Sequence, residues 1–256
     1  MSRFGNLEFE RQSAAESVTE QVADEVRHLR DAEAAMRRGL FEQALRAYGR
    51  VIEANPHHAG GWVGQVRMLI ELGQFAEAKA WADKALERFP HDPEALSAKA
   101  VALARLGDTK AALTFSDSAI EEQRATPYVW LARGDVLLAR AEKRAEHCFA
   151  KALGLAAQDW LWPWLASRVH FFYRRFSLAM KLASQALALG GNQAVVWLQM
   201  GRCQLALGLA GVAGESFSHA RELDPSCPDA TAAAAEVGVC SPWERWARRI
   251  RGWWAR

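Results

Sequence analysis

The sequence has no long apolar run and little of the residue pattern that builds β-strands. No segment of the 256 residues approaches the run of about 18 apolar residues that a membrane-spanning helix requires. Residues 1–10 lack the apolar core of a signal peptide, so we expect a cytoplasmic location. Alternation of β-branched and polar residues is almost absent, which argues against a sheet and favours an all-α fold.

Cysteine is scarce and shows no metal-binding or redox spacing. The four cysteines are Cys148, Cys203, Cys227 and Cys240, and no two of them form a C-x2-C motif. We interpret them as buried free thiols, which is the usual state of helical cysteines. A disulfide between Cys227 and Cys240, or a redox switch, is the alternative.

Catalytic motifs are also missing from the sequence. It contains no H-E-x-x-H zinc motif, no glycine-rich phosphate loop, no nucleophile elbow and no paired-carboxylate motif. His170 stands in an aromatic neighbourhood, and we interpret it as a hydrogen-bonded core or groove histidine, with a ligand role as the alternative. We therefore expect a protein that is not an enzyme and that carries neither a cofactor nor a metal.

What the sequence does have is a series of alanines at a nearly fixed interval. Successive members lie 33 or 34 residues apart, and the residue four positions after each one is aromatic or small. The alanines are Ala44, Ala78, Ala112, Ala145, Ala179 and Ala213, and the residues four positions on are Tyr48, Ala82, Ser116, Phe149, Ala183 and Phe217. A period of this length predicts a stack of repeated units rather than one globular core.

Each unit is predicted to be a pair of antiparallel helices. Apolar residues recur at helical spacing on both sides of a short turn, as on either side of Gly107. Gly39, Gly73, Gly107 and Gly208 occupy this turn, where a helix C-terminus favours a left-handed residue. The fourth unit has no glycine here and one residue fewer before Ala145, which predicts a tighter or distorted turn.

The repeated pattern resembles that of a known family. Trp130-Leu-Ala-Arg-Gly134 and Trp197-Leu-Gln-Met-Gly201 precede their alanines, and Pro56, Pro90 and Pro225 follow theirs by a constant interval. This is similar to the tetratricopeptide repeat (TPR) pattern W-x2-L-G-x2-Y, A-x3-F and P. The resemblance implies an all-α, right-handed TPR-type α-solenoid, a superhelix of helix-turn-helix repeats. Its six repeats would span residues 25–58, 59–92, 93–126, 127–159, 160–193 and 194–227.

The same resemblance implies where a partner binds. In TPR proteins the first helix of each pair lines a concave groove that holds a partner peptide or helix, so we expect a non-enzymatic protein-interaction scaffold or adaptor. The Trp160, Trp162 and Trp164 cluster has an alternative reading as packing between repeats. The groove residues implied by the repeat register are Arg67, Arg105, Tyr128, Leu131, Asp135, Leu161, Trp164, Arg168, Phe171, Leu198 and Arg202.

The ends of the chain differ from the repeats. We expect residues 1–24 to form an arm and the start of a helix, and residues 228–240 to form a short helix or a partial seventh repeat. Self-association through the arm, which carries Phe4, Leu7 and Phe9, is a third alternative for the function.

Residues 241–256 are basic and rich in tryptophan. They hold five arginines and one glutamate, which gives this segment a net charge of +4 and leaves −2 on the rest. A helix with tryptophans on one side suits three roles: capping the last repeat, contacting an anionic membrane as a peripheral membrane adaptor, or binding a partner protein. Nucleic-acid binding is not expected, because the repeats add no basic stripe. The predicted contact residues are Trp243, Trp246, Arg248, Arg249, Ile250 and Trp253.

Overall fold

The computed structural model describes residues 22–122, 125–225 and Ala233. These residues form twelve helices, with Ala233 also helical, and they contain no strand. The helices are α1 (22–37), α2 (Phe41–Ala54), α3 (Ala59–Glu71), α4 (Phe75–Arg88), α5 (Pro93–Arg105), α6 (Thr109–Glu121), α7 (Pro127–Ala139), α8 (Ala145–Leu155), α9 (Leu161–Phe172), α10 (Phe176–Ala188), α11 (Ala194–Ala206) and α12 (Ala210–Leu223). The predicted all-α class is confirmed.

The periodic alanines lie where the two helices of a pair meet. All six have side chains that are 0% exposed, and the six residues four positions further on are buried as well. The contact depends on small side chains, because a Cβ atom added to Gly134 would lie 2.8 Å from Cζ of Phe149. The small residues therefore determine which face of each helix packs against the other helix of the pair.

The predicted turn glycines adopt the left-handed conformation. Gly39, Gly73, Gly107 and Gly208 have φ angles of 70°, 78°, 93° and 81°. At Gly107 the backbone N–H donates to the Ala104 carbonyl at 3.1 Å, and the next N–H, of Asp108, donates to the Leu103 carbonyl at 3.0 Å. These two bonds satisfy carbonyls that the helix end would otherwise leave without a partner.

Of the two expected forms of the fourth turn, tighter or distorted, the structure has the second: the turn is not tighter than the others, but the helix after it begins late. Ala141 takes the left-handed conformation with φ 56°, and its N–H donates to Leu138 at 2.9 Å, which repeats the bonding of the glycine turns. The repeat is one residue shorter between its turn and its alanine, and the following helix, α8, starts later. α8 begins at Ala145 itself, whereas the second helices of the other five pairs begin three residues before their alanines.

Polar side chains start the first helices of several pairs. Oδ1 of Asp92 accepts the N–H of Ala95 at 2.8 Å, and Nδ1 of His58 accepts the N–H of Gly61 at 2.9 Å. Oγ1 of Thr126 caps α7 in the same way. These residues stand 34 apart, so the capping position repeats with the fold.

The chain divides into two units by its contacts. The first unit, Met1–Ala125, holds α1 to α6, and in it α3 contacts α5 as well as its neighbours along the chain. The second unit, Thr126–Arg256, holds α7 to α12, and in it α9 contacts both α7 and α11. The first helices of successive pairs thus lie side by side in the second unit, and we call the surface of α7, α9 and α11 its inner face.

Candidate functional site

The inner face of the second unit brings together most of the residues that the sequence predicts for partner binding. Six of these residues are buried in the structure rather than open to a partner, because neighbouring first helices pack against one another. They are Tyr128, Leu131, Asp135, Leu161, Trp164 and Leu198. As accessible contact residues these six predictions are corrected.

Trp164 shows why this part of the face is closed. Its side chain is 1% exposed, and its indole N–H donates to the backbone carbonyl of Val195 at 3.2 Å. That bond joins α9 to α11, and the Trp160 ring packs 6.1 Å away, centroid to centroid. The alternative reading of the tryptophan cluster, packing between repeats, is therefore correct for Trp164.

Asp135 is buried and held by an aromatic residue that the sequence analysis did not select. The Tyr173 hydroxyl donates to Oδ1 of Asp135 at 2.7 Å, which joins the end of α9 to α7. A carboxylate 2% exposed needs such a donor, because an ionised group is costly to remove from water. Asp135 thus helps to hold two repeats together.

The other residues predicted on the inner face reach solvent. Arg168, Phe171 and Arg202 are partly exposed, and Phe172, which the sequence analysis missed, is 46% exposed. Cζ of Arg168 lies 5.4 Å from the centroid of the Trp164 ring, so a buried tryptophan positions this guanidinium. Phe171 packs on Phe176 with centroids 5.2 Å apart. We call Arg168, Phe171, Phe172 and Arg202 the arginine–phenylalanine patch.

Phe172 was missed because, in this repeat, the sequence analysis selected the residue three positions before the turn, Phe171. Counting back from the left-handed turn residue, Arg105 lies two positions before Gly107, and Phe172 lies two positions before Arg174. Arg174 has φ 59° and so marks the same turn as the glycines. The choice that gave Arg105 in the third repeat, applied to this repeat, would have identified Phe172.

The predicted inner residues of the first unit, Arg67 and Arg105, are partly exposed. Arg67 stands near the buried Tyr48 hydroxyl. Burial raises the pKa of Tyr48, and the Glu33 and Glu94 carboxylates raise it further, while Arg67 acts in the opposite direction. The surroundings of Tyr48 in the first unit therefore carry charges of both signs, unlike the aromatic and basic patch of the second unit.

The two described cysteines are free thiols enclosed by the helices. Burial raises the pKa of Cys203 to about 12, although the nearby Ser167 and Gln199 side chains lower it. Burial also raises the pKa of Cys148. Both thiols therefore stay protonated at neutral pH, which suits packing and not nucleophilic chemistry. Cys227 and Cys240 lie outside the described residues.

His170 is a core residue without the expected hydrogen bond on one ring nitrogen. Its side chain is buried, its ring lies 4.6 Å from that of Phe149, and Nδ1 has no hydrogen-bond partner. Burial lowers the pKa of His170 to about 4, and the Arg175 charge lowers it further. The ring is therefore neutral at pH 7.

Two further findings concern only the described part of the chain. There, no group of three or more histidine, cysteine, aspartate or glutamate side chains is placed to hold a metal ion. No helix in that part is both long and apolar enough to cross a bilayer. The predicted tail contacts from Trp243 to Trp253 lie outside it.

Comparison with known proteins agrees with this architecture. A tetratricopeptide repeat family model matches residues 35–101 and 69–136. Among solved structures, a tetratricopeptide repeat protein from Parabacteroides merdae aligns with a TM-score of 0.53 and 16% identity over 81% of each chain. A thermophilic TPR protein in Thermus thermophilus aligns with a TM-score of 0.51 and 15% identity, over 84% of this chain and 100% of that one. No curated protein matches by sequence.

The matched segment covers the first repeats, and the later helix pairs continue their geometry. The buried alanine, the left-handed turn and the side-by-side first helices recur in α7 to α12, beyond the residues that the family model matches. Proteins of this family are in general non-enzymatic scaffolds for protein interactions. Residues 35–136 thus match the tetratricopeptide repeat family model, and the fold of the described chain is similar to that of tetratricopeptide repeat proteins.

Proposed function

We propose that the chain is a non-enzymatic scaffold or adaptor that binds a partner peptide or helix on the inner face of its second unit. The observation that carries the proposal is the arginine–phenylalanine patch. Phe172 leaves nearly half of a large apolar side chain in water, beside Phe171 and Arg168 on the same rigid helix. Aromatic and arginine side chains dominate the energy of many protein interfaces, because they bury a large area and still form hydrogen bonds.

The patch is also held in place before any partner arrives. Phe171 contacts Phe176, Phe172 contacts Tyr173 with centroids 5.1 Å apart, and Arg168 stacks over Trp164. Side chains already ordered by packing lose less conformational entropy on binding. An apolar side chain of the partner would cover Phe172, and a carboxylate of the partner would pair with Arg168 or Arg202.

The experiment is quantitative affinity capture with matched variants. Phe172→Ala should lose the partners that wild-type protein retains. Leu178→Ala is the control. Leu178 is 39% exposed, but it lies on α10, which is the second helix of its pair and is not part of the inner face. Equal capture by both variants would count against the patch as the binding surface.

A second candidate function, a peripheral membrane adaptor, is favoured by the composition of residues 241–256. Their charge of +4 would contribute about 1 kcal/mol per basic residue near an anionic bilayer, and four tryptophans would add apolar insertion. Co-sedimentation with anionic and neutral vesicles, comparing the full chain with a version ending at Val239, tests it. Binding that needs both the tail and anionic lipid, and that falls at high salt, would favour this role.

A further inference from the structure

The turns inside the three helix pairs of the second unit lie at one edge of that unit. Trp164 bonds to Val195 at the starts of α9 and α11, and Ser167 bonds to Gln199 in the middle of the same helices. The two first helices therefore run in the same direction, and the turns that follow them lie at the same edge. We call the three turns of this unit the turn edge: residues 140–144, 173–175 and 207–209.

The turn edge is strongly basic. Its three turns hold five basic residues and one carboxylate, which gives a net charge of +4. The basic residues are Arg140, Lys143, Arg144, Arg174 and Arg175, and the carboxylate is Glu142. The turns at the opposite edge, residues 156–160 and 189–193, hold a single charged residue, Asp159. The turns of the second unit therefore carry their positive charge at one edge only.

Ion pairs hold several of these guanidinium groups in place without cancelling the charge. Glu142 accepts hydrogen bonds from Nε of Arg140 at 2.7 Å and from Nη2 of Arg144 at 2.6 Å. Nη1 of Arg175 donates to Oε1 of Glu146 at 2.8 Å, which joins the starts of α10 and α8 and brings the fourth and fifth turns together. With Glu146 included, the edge still has a net charge of +3.

The same edge exposes large apolar side chains. Four of them lie in a turn or within three residues of one, and each is 39% to 47% exposed: Phe172, Leu178, Leu209 and Val212. The other strongly exposed apolar side chains in the described part of this unit, Leu155 and Leu223, end their helices at the opposite edge. Exposed apolar groups that are clustered rather than scattered indicate a contact surface.

We propose that the turn edge of the second unit docks on an anionic membrane surface. Anionic headgroups attract the cations of the edge, and its apolar side chains enter the boundary between headgroups and acyl chains. An acidic protein segment would match the charge, but it would need a pocket for each apolar side chain, whereas a bilayer accepts apolar groups at any spacing. The inference deepens the second candidate function, and it rests on the described residues and not on residues 241–256.

The test is co-sedimentation of the full chain, at low salt, with vesicles of phosphatidylserine and phosphatidylcholine in equal parts. The double variant Lys143→Gln, Arg174→Gln removes two cations from the edge and should weaken binding by at least about tenfold. The matched control is Lys181→Gln, Arg221→Gln, which removes the same charge from exposed positions of α10 and α12 outside the turn edge. Its binding should stay within about twofold of wild type.

A second pair of variants tests the apolar contribution. Leu209 occupies the N-cap of α12, a position that serine favours, so Leu209→Ser removes an exposed apolar side chain and keeps the helix start. Vesicle binding should weaken by about threefold or more. Leu155→Ser, at the opposite edge, should bind like wild type. All these variants leave the arginine–phenylalanine patch intact, so their capture of a protein partner should not change.

Three results would overturn the proposal. Equal vesicle binding by wild type, the double variant Lys143→Gln, Arg174→Gln and Leu209→Ser would assign any membrane contact to another part of the chain. Binding to pure phosphatidylcholine vesicles as tight as to the anionic ones would remove charge as the cause. Binding of soluble polyglutamate that the double variant loses, with no sedimentation on vesicles, would assign the turn edge to an acidic protein segment.

Discussion

The hydroxyl of Tyr173 donates a 2.7 Å hydrogen bond to Oδ1 of Asp135, and this bond joins two first helices of the second unit. Tyr173 adjoins Phe172, the most exposed residue of the arginine–phenylalanine patch. The bond therefore fixes the end of α9 from which the proposed binding side chains project. The geometry of the patch and the stability of the unit depend on the same contact.

We predict that Tyr173→Phe destabilises the second unit by about 1–3 kcal/mol. The substitution keeps the ring but removes a donor to a buried carboxylate, whose hydrogen bonds are stronger than those between neutral groups. Chemical denaturation of wild type and variant measures the change. In a double-mutant cycle with Asp135→Asn, effects that simply add would show that the two side chains are not coupled.

Glycine packing gives a prediction with an internal control. Gly134→Ala places a Cβ 2.8 Å from the Phe149 ring, so unfolding free energy should fall by about 1–2 kcal/mol despite the better helix propensity of alanine. Gly154→Ala, in the same helix pair, has no atom within 4 Å of the new Cβ. It should raise stability by up to about 1 kcal/mol. Similar changes in both variants, seen by urea denaturation, would contradict the proposed packing.

The left-handed turns give a third prediction. Ala141 has φ 56°, a conformation that is unfavourable for residues with a Cβ, so Ala141→Gly should stabilise the protein by about 0.5–1 kcal/mol. Gly107→Ala is the opposite substitution, at a turn residue with φ 93°. An added Cβ would meet no atom within 4 Å there, so the only cost is the unfavourable backbone conformation. It should lower the melting temperature. A loss of stability in Ala141→Gly would mean that the fourth turn is not built like the others.

His170 should make the second unit sensitive to acid. Its folded pKa of about 4 lies below the ordinary 6.5, so between these values the unfolded chain binds more protons than the folded one. The contribution of this residue to stability is intact above pH 6.5 and decreases as pH falls to about 4, by about 3 kcal/mol in total.

The variant His170→Leu isolates this effect, because Leu137 occupies the equivalent place in the preceding repeat. Denaturation curves from pH 7 to about pH 4 should show a smaller loss of stability for the variant than for wild type. If wild type and variant lose the same amount of stability over this pH range, His170 is not the cause of the acid sensitivity.

The sequence predicted the repeat geometry well because the fold depends on a few small residues at a constant interval. The spacing of Ala44 and Ala78 predicts a buried helix contact without any knowledge of the neighbours, and Gly73 predicts the turn by its backbone freedom alone. These properties are local and recur along the chain. Repetition makes them visible above the variation of the other residues.

The accessible surface was predicted less well because it depends on the exact register and on the neighbouring repeats. The predicted residue of the fifth repeat, Phe171, lies three positions before its turn, whereas only Phe172, two positions before it, is strongly exposed. Trp164 lies on the expected helix, but whether it faces solvent or Val195 is decided by the packing of α11 against α9. No periodicity in one helix contains that information.

The most direct test of the account is the affinity of a purified captured partner for four proteins: wild type, Arg168→Ala, Phe172→Ala and Leu178→Ala. Isothermal titration should show binding weakened by at least about 1 kcal/mol, roughly fivefold, in Arg168→Ala and Phe172→Ala, with unfolding curves unchanged and with Leu178→Ala like wild type. Equal affinity for all four proteins, or weakening in Leu178→Ala alone, would contradict a binding surface on the inner face of the second unit.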